Sequence, residues 1–93
     1  GRVKVTVTPQ AERDFGAQVR WLHEHSPRAG RKASEQIVHA LDLLADFPEL
    51  GIEVGTGLRE KHVQFGRDGF VIRYRIDVLT VTVLRIFHGS QDR

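Results

Sequence analysis

The stretch VIRYRIDVLTVTVLRIFHGSQDR, residues 71–93, decides the fold of this chain. Its β-branched and aromatic residues predict two antiparallel strands, over 70–76 and 80–87, joined by a turn near residues 77–79. Three arginines interrupt these strands, at positions 73, 75 and 85. The strands of a small domain normally bury hydrocarbon, so three cations within them indicate that one face of the sheet is left open.

The alternation of side chains between the two faces of a strand predicts which residues point outward. The apolar residues at even positions of 70–76 share the core face, which leaves Arg73 and Arg75 on the open face. In the last strand we expect Leu84 and Ile86 to form the core pair and Arg85 to lie outside. The open face then has an apolar floor made of the other outward residues of that strand: Val81, Val83 and Phe87.

The sequence before this sheet predicts one strand and two helices. Valines alternate with polar residues over 3–7, which is the pattern of a strand with one buried face. Thr8-Pro9 indicates a helix start, with a capping hydroxyl followed by proline, and the apolar stripe of that helix runs to about His25. Ser26-Pro27 starts a second amphipathic helix, which Pro48 ends. Two helices joined by so short a turn are expected to pack as an antiparallel hairpin.

The segment between the second helix and the sheet is rich in turn residues. It predicts a loop over 48–57, then a strand over 58–66 and a tight turn at residues 67–69. The resulting order, β-α-α-β-β-β, predicts a single α+β domain spanning residues 1–93. We expect the helix hairpin to pack on one face of a small, mainly antiparallel sheet.

Arg59 and Lys61 are neighbours on one face of the strand over 58–66. They extend the basic open face if they point outward. Val63 and Phe65 share their parity and favour the core instead, unless a β-bulge intervenes. The alternation therefore leaves the orientation of these two cations open.

Composition limits the class of protein. Ninety-three residues form one domain around a single core. The absence of cysteine excludes disulfides, thiolate metal sites and a cysteine nucleophile, and it fits a reducing cytoplasm. Polar residues interrupt the longest apolar stretch, 78–87, so we expect neither a membrane span nor an export signal. Eleven of the 14 basic residues are arginines, which favours recognition of an anionic surface, although a GC-rich genome explains the bias equally well.

Other patterns give no catalytic or metal site. His23 and His25 are two residues apart and point in different directions on a helix, so we expect neither a metal nor a cofactor. Trp21 falls one step off the apolar stripe of the first helix, which makes it either a border of the core or an anchor for a partner. Tyr74 is expected to be a core ring whose hydroxyl is hydrogen-bonded.

Four segments carry a family resemblance: LLADFPELG at 43–51, GLRE at 57–60, GFVIRYRI at 69–76 and VLRIFHGSQDR at 83–93. Together they resemble the RelE/ParE superfamily of type II toxin–antitoxin toxins, on the ParE-like, plasmid-stabilisation side, and the likeness extends over 3–93. The resemblance implies a small cytoplasmic toxin that arrests growth and is held inactive, in a hetero-oligomer, by a cognate antitoxin from the same operon. ParE-like members poison DNA gyrase, whereas RelE-like members cleave mRNA in the ribosomal A site.

The resemblance leaves three functions open. Cleavage of RNA by its own 2′-hydroxyl needs a base, an acid and cations around the phosphorane. The RelE likeness would assign these roles, in a metal-independent endoribonuclease, to Lys61, Arg73, Arg75, Arg85 and His88. That set is incomplete, because only Lys61 and Glu60 are candidate bases and no Tyr or Trp follows His88. We therefore favour a ParE-like gyrase poison without an active site of its own, and an inert relative that only binds an antitoxin is the third alternative.

The favoured function makes the basic residues binding residues. We expect the antitoxin or DNA gyrase to contact the open face, the terminal segment 88–93 and the outer side of the helix hairpin, and an acidic antitoxin would complement the arginines. Alternatively, the arginines form cross-strand ion pairs with Glu60, Asp68 or Asp77. The expected partner-binding residues are Arg59, Lys61, Arg73, Arg75, Arg85, Trp21 and His88.

Overall fold

The computed structural model describes residues 2–91. The chain forms the strand β1 (Lys4–Val7), the helices α1 (Pro9–His25) and α2 (Pro27–Asp46), a 3-10 turn (Pro48–Leu50), and the strands β2 (Ile52–Gly55), β3 (Leu58–Val63), β4 (Phe70–Ile76) and β5 (Thr80–His88). The strands lie in the order β1-β5-β4-β3-β2, with β1 parallel to β5 and the other neighbours antiparallel. The predicted α+β fold, a helix hairpin on a small and mainly antiparallel sheet, is confirmed.

The edge strand β2 is the main addition to the predicted fold. Its residues fall within 48–57, which the sequence analysis assigned to a loop because Pro48 and the glycines at positions 51, 55 and 57 are turn residues. Ile52 nevertheless pairs with Glu60, and Glu53 pairs with Arg59, so the segment joins the sheet before the chain turns back. The prediction of an unpaired loop over these residues is therefore wrong.

Both helices begin where the sequence predicts. Thr8 Oγ1 accepts a hydrogen bond from Ala11 N–H at 3.2 Å, and Ser26 Oγ accepts one from Ala29 N–H at 3.2 Å. A capping hydroxyl of this kind stabilises a helix by about 1 kcal/mol. Neither helix in residues 2–91 has the length and apolarity needed to cross a bilayer.

The helices cover one side of the sheet and enclose an apolar core. Alanines and two larger residues of the helices pack against the inward residues of β4 and β5. Small side chains on the helices let the backbones approach the sheet closely, while the sheet supplies most of the volume. The core residues are Ala11, Ala33, Ile37, Ala40 and Leu44 from the helices, Val63 from β3, and Phe70, Ile72, Tyr74, Val81, Val83 and Ile86 from β4 and β5.

Tyr74 connects the middle of the sheet to the turn that follows α2. Its ring is fully buried, and its hydroxyl donates to the Pro48 carbonyl at 2.6 Å while accepting from Gly51 N–H at 2.8 Å. The expected core ring with a hydrogen-bonded hydroxyl is confirmed. Burial, the largest influence, raises the pKa of Tyr74 above its ordinary value, so the hydroxyl keeps the proton that it donates.

A β-bulge interrupts the pairing of β4 with β5. Arg85 lies opposite Arg73, but the neighbouring pair is Val83 opposite Tyr74, so Leu84 is an extra residue with no cross-strand counterpart. An extra residue in one strand reverses the faces of all residues on one side of it.

Three predictions made from strict alternation are wrong because of the bulge. Val81 and Val83 were expected on the outer floor, but both are fully buried in the core. Leu84 was expected in the core, but it is only partly buried. Ile86 lies in the core and Phe87 on the opposite side, as predicted. Both residues come after the bulge, where the alternation agrees with the prediction.

Helix α1 covers the edge of β5 where that strand extends beyond β1. Thr8 Oγ1 donates to the Leu84 carbonyl at 3.2 Å. Asp14 accepts from Ile86 N–H at 3.0 Å, and Gln18 Nε2 donates to the Ile86 carbonyl at 2.7 Å. Polar side chains of α1 thus take the place of a neighbouring strand and satisfy backbone groups that a free edge would leave unpaired.

Candidate functional site

The side of the sheet that faces away from the helices carries the three predicted arginines. Arg73 and Arg85 are direct cross-strand partners, and Arg75 lies two residues along β4 on the same side. Glu60 of β3 is in register with Arg73 and shares this side. We call the surface formed by Glu60, Arg73, Arg75, Arg85 and Phe87 the arginine face.

Arg73 is paired with a buried carboxylate. Its Nε and Nη2 atoms lie 3.0 and 2.8 Å from Oε2 of Glu60. Only 6% of Glu60 is exposed, so this carboxylate depends on a cation within the protein. The ion pair of these neighbours on β3 and β4, which the sequence offered as an alternative role for the arginines, is confirmed.

Arg85 makes a two-pronged ion pair with Asp14 of α1. Its Nε lies 2.7 Å from Oδ2 and its Nη2 lies 3.1 Å from Oδ1. Oδ2 also accepts the backbone N–H of Ile86 at 3.0 Å. The sequence analysis missed Asp14 as a partner, because the pair joins positions 71 residues apart and no local pattern connects them.

The pKa of Asp14 reflects this environment. Burial, the largest influence, pushes the pKa upward, but the hydrogen bonds from Arg85, from Ile86 N–H and from Gln10 together outweigh it. The pKa of Asp14 therefore lies below its ordinary value of 3.8. The carboxylate is charged at neutral pH and holds Arg85 in place.

Phe87 lies beneath two of the arginines. The guanidinium carbon of Arg73 is 5.0 Å from the centre of its ring, and that of Arg85 is 4.9 Å away. An aromatic ring attracts cations at this distance, which helps two like charges to lie side by side. Of the three residues predicted for the apolar floor of this face, Val81, Val83 and Phe87, only Phe87 lies on it.

Arg75 is the most accessible cation of the arginine face. Its side chain is 49% exposed, and its Nε lies 4.0 Å from Oδ1 of Asp77, at the limit of an ion pair. Exposed pairs of this kind contribute little to stability and dissociate at little cost. Of the three arginines, Arg75 is therefore the one that a partner can engage most easily.

The structure divides the five nuclease candidates between the two sides of the sheet. The three arginines share the arginine face, whereas Lys61 is in register with Ile72 and His88 with Phe70, two core residues. Lys61 and His88 therefore lie on the helix side. His88 Nδ1 is 2.7 Å from Ser90 Oγ, and Lys61 Nζ donates to the His62 carbonyl at 2.7 Å.

Arg59 shares the helix side with Lys61, which resolves the orientation that alternation left open. Arg59 is in register with Tyr74. Its Nη1 donates to the carbonyls of Glu49 at 3.2 Å and Gly51 at 2.8 Å, and its Nη2 lies 3.6 Å from Glu53. Arg59 holds the edge strand and the preceding turn, and it does not extend the arginine face.

Trp21 and His88 lie together at one end of the molecule, where both line a groove on the helix side. Trp21 is 60% exposed, and its ring stacks on that of His25 with centres 4.2 Å apart. Residues 92 and 93, which close the expected terminal interaction segment, lie outside the described residues. Across the part of the chain that the structure describes, no group of three or more metal-ligating side chains comes together.

Comparison with known proteins places the chain among toxins. Residues 5–93 match the family described as "ParE toxin of type II toxin-antitoxin system, parDE". Toxin RelE1 of Caulobacter vibrioides is 40% identical over 89 residues, which cover 96% of each chain. Toxin RelE3 of the same organism is 34% identical over 89 residues, covering 96% of this chain and 97% of that one.

Solved structures show the same fold. The chromosomal ParDE toxin–antitoxin system of P. aeruginosa contains a chain that matches with a TM-score of 0.77 and 20% identity, covering 96% of this chain and 98% of that chain. The RelBE2 toxin–antitoxin complex of Mycobacterium tuberculosis matches with a TM-score of 0.63 and 24% identity, covering 95% and 99%. With the family match over nearly the whole length, this chain belongs to the ParE/RelE family of toxins of type II toxin–antitoxin systems.

Proposed function

We propose that this protein is a ParE-like toxin that inhibits DNA gyrase by binding it, and that a cognate antitoxin from the same operon neutralises it in a hetero-oligomer. The observation that carries the proposal is the division of the nuclease candidates, with the arginines on one side of the sheet and Lys61 and His88 on the other. A toxin that acts by binding needs a complementary surface, and it needs no acid and base converging on one bond.

RNA cleavage makes a stricter demand on geometry. Its acid and base must each come within about 3 Å of the oxygen atom to which they give, or from which they take, a proton, next to cations that stabilise the phosphorane. The arginine face supplies cations, but Lys61 and His88 are separated from it by the sheet. Glu60, the other candidate base, is 6% exposed and engaged by Arg73. This arrangement favours binding over catalysis.

The arginine face has the properties of a binding surface. Arg75 offers an accessible charge, while Arg73 and Arg85 are held over the ring of Phe87 by their own carboxylates. Fixed side chains lose little conformational entropy when a partner binds. An acidic patch of gyrase would gain an ion pair with Arg75 and contact with a preorganised surface. Binding there would stabilise the cleaved DNA–gyrase complex. The toxin would act in the cytoplasm, and the cell would stop growing.

RelE-like cleavage of mRNA at the ribosome is the second candidate. Two relatives with 40% and 34% identity carry the names Toxin RelE1 and Toxin RelE3. In that case the arginine face would cradle a phosphate and the ribosome would have to supply the missing acid or base. An inert relative that only binds an antitoxin is the third possibility, and it predicts no growth arrest.

Induction of the toxin without its antitoxin, in cells that carry a small plasmid, tests the proposal. We expect the plasmid to lose negative supercoils and to appear partly linear, while ribosome-bound mRNA mapped by primer extension stays intact. Cuts within mRNA codons together with unchanged plasmid topology would support the RelE-like function. Normal growth in the presence of soluble, folded protein would support the inert alternative.

A further inference from the structure

Half of the large apolar side chains that residues 2–91 expose lie in one short segment, the turn after α2 and the edge strand β2. Phe47 and Leu50 belong to the turn, Ile52 and Val54 belong to β2, and each is between 45% and 67% exposed. We call the surface formed by these four residues the β2 edge. Together they expose on the order of 400 Å², and apolar patches of about this size mark interaction sites.

The backbone of β2 is open on the side away from β3. β2 is the last strand of the sheet, and no backbone hydrogen bond from another loop or turn of residues 2–91 reaches 52–55. The fold covers its other edge strand in part, because Val3 N–H, at the start of β1, donates to the Ala45 carbonyl at 2.9 Å. Successive residues of a strand direct their N–H and C=O groups to alternate sides, so part of the β2 backbone is free to pair with another strand.

The sequence of β2 lacks the residues that usually protect an exposed edge. Residues 52–55 contain neither lysine nor proline, and their one charge, Glu53, lies 3.6 Å from Arg59 of the same chain. The strand is short, and a bulge between Glu53 and Gly55 limits added pairing to about four backbone hydrogen bonds. A partner at this edge must therefore gain most of its binding from the apolar side chains.

A second copy of this chain fits the β2 edge. Glu49 and Glu53 lie beside Arg59, so the charges nearly balance and favour a partner that is neither strongly acidic nor strongly basic. An edge strand pairs with its own copy in antiparallel orientation around a two-fold axis, which brings the apolar side chains of the two copies together. A stable interface buries about 800 Å² on each partner, a little more than half of it apolar, and the β2 edge exposes nearly that apolar area.

We propose that two copies of this chain form a dimer by pairing their β2 strands around a two-fold axis near Glu53. Ile52 is in register with Glu60, so it lies on the same side of the sheet as the arginine face. Two five-stranded sheets would join into one, and an axis perpendicular to the sheet would place both arginine faces on the same side. The dimer requires neither gyrase nor an antitoxin, so this inference goes beyond the proposed function and stands apart from it.

Sedimentation equilibrium of the purified, antitoxin-free protein tests the dimer. We expect a species of twice the chain mass of 10.6 kDa at micromolar concentration. Ile52→Lys should raise the dimer dissociation constant by at least about 30-fold, because it places a charge in an apolar interface. Val38→Lys is the matched control, since Val38 is a β-branched residue of α2, 53% exposed and far along the chain from the β2 edge. We expect that variant to dimerise within about twofold of the unaltered protein.

Two results of this measurement would overturn the proposal. One is a folded protein that stays monomeric up to about 100 μM, which is weaker association than a specific interface of this size gives. The other is a dimer that Ile52→Lys and Val38→Lys weaken equally. Circular dichroism of each variant shows whether it is folded.

Cross-linking provides a second test that does not depend on weakening the dimer. The chain has no cysteine, and Glu53 is 66% exposed, so Glu53→Cys adds a single thiol near the proposed axis without disturbing the core. Opposite residues of an antiparallel pair have Cβ atoms about 4.5–5.5 Å apart, so mild oxidation should link two copies after a small adjustment. Glu35→Cys, at an exposed position of α2, should stay monomeric on a denaturing gel. Equal cross-linking of both variants, or none in Glu53→Cys while the protein sediments as a dimer, would exclude β2 pairing. Absence of growth arrest in cells would count against the proposed toxin function alone.

Discussion

Each arginine of the arginine face is held by a different carboxylate, and the three pairs differ in strength. Arg73 and Arg85 meet Glu60 and Asp14, both largely withdrawn from solvent, at distances of 2.8 and 2.7 Å. Arg75 meets exposed Asp77 only at 4.0 Å. We therefore expect a charge-reversing mutation to lower stability at the first two positions and, under the proposed function, to weaken target binding at the third.

Neutralising Arg73 should destabilise the fold more than neutralising Arg75. Arg73→Gln removes the ion pair that Arg73 makes with the buried Glu60 carboxylate, and we expect a loss of about 2–3 kcal/mol in the free energy of unfolding, less than for a fully buried pair because Arg73 is partly exposed. Arg75→Gln should change it by less than about 0.5 kcal/mol. Urea unfolding of both variants at pH 7 measures the difference. Equal losses would show that Glu60 does not depend on Arg73.

Asp14 should make stability depend on acid pH. Its pKa in the folded protein lies below the ordinary value of 3.8, so the unfolded chain binds the proton more readily. Its contribution, about 1–2 kcal/mol for hydrogen bonds to a charged group near the surface, is then complete above about pH 5 and is lost as the pH falls through the folded-state pKa.

The Asp14→Asn variant isolates this contribution. We expect the difference in unfolding free energy from the unaltered protein to be constant between about pH 7 and 5 and to shrink below about pH 4. A difference that grew on acidification would contradict the assigned direction of the Asp14 shift.

The sequence predicted the faces of the regular strand β4 correctly, but not those of the irregular strand β5. β4 has no irregularity within it, and the alternation of its residues predicted both of its faces. β5 contains the bulge at Leu84, which brings Val83 and Ile86 to the core although they are three residues apart. Strict alternation cannot place two such residues on one face, and no glycine or proline marks the bulge in the sequence.

Long-range contacts explain the other differences between the elements and their prediction. β2 is only four residues long, follows Gly51 and ends at Gly55, so no local pattern of the sequence indicates that it pairs with β3. The covering of the β5 edge by Thr8, Asp14 and Gln18 depends on how α1 crosses the sheet. Both features follow from tertiary packing and not from local propensity.

The turn that connects α2 to β2 should tolerate no side chain at Gly51. A Cβ at this position would lie 2.7 Å from Tyr74 Oη and 2.9 Å from the Glu60 carbonyl carbon, whereas a Cβ at Gly55 would meet only Leu58 Cδ1 at 3.8 Å. We expect Gly51→Ala to lower the free energy of unfolding by about 2–3 kcal/mol, through the clash and the loss of the tyrosine hydrogen bonds. Gly55→Ala should stay within about 1 kcal/mol of the unaltered protein. Chemical denaturation of the pair tests this, and comparable stability would exclude the clash.

For the whole molecule, the sheet separates two surfaces. The arginine face lies on one side. Lys61, His88 and the groove lined by Trp21 and His88 lie on the other side, which faces the helices. The sequence predicted the family, the fold and the outward arginines, because these depend on local pattern. The RelE resemblance grouped Lys61 and His88 with the arginines, and the alternation of side chains left the orientation of Lys61 open, because Val63 and Phe65 share its parity. Because the sheet separates the arginines from Lys61 and His88, we expect a toxin that binds its target and catalyses no reaction itself.

The most direct measurement is a supercoiling assay in which purified, antitoxin-free protein is titrated against DNA gyrase and relaxed plasmid in the presence of ATP. We predict loss of supercoiling together with linear plasmid after denaturation, and we predict neither for folded Arg75→Glu, in which a carboxylate replaces the accessible cation of the arginine face. Arg31→Glu, at an exposed position of α2, should inhibit like the unaltered toxin. Gyrase that remains fully active beside a folded protein that arrests growth in cells would contradict the account, and inhibition retained by Arg75→Glu would contradict the role of the arginine face.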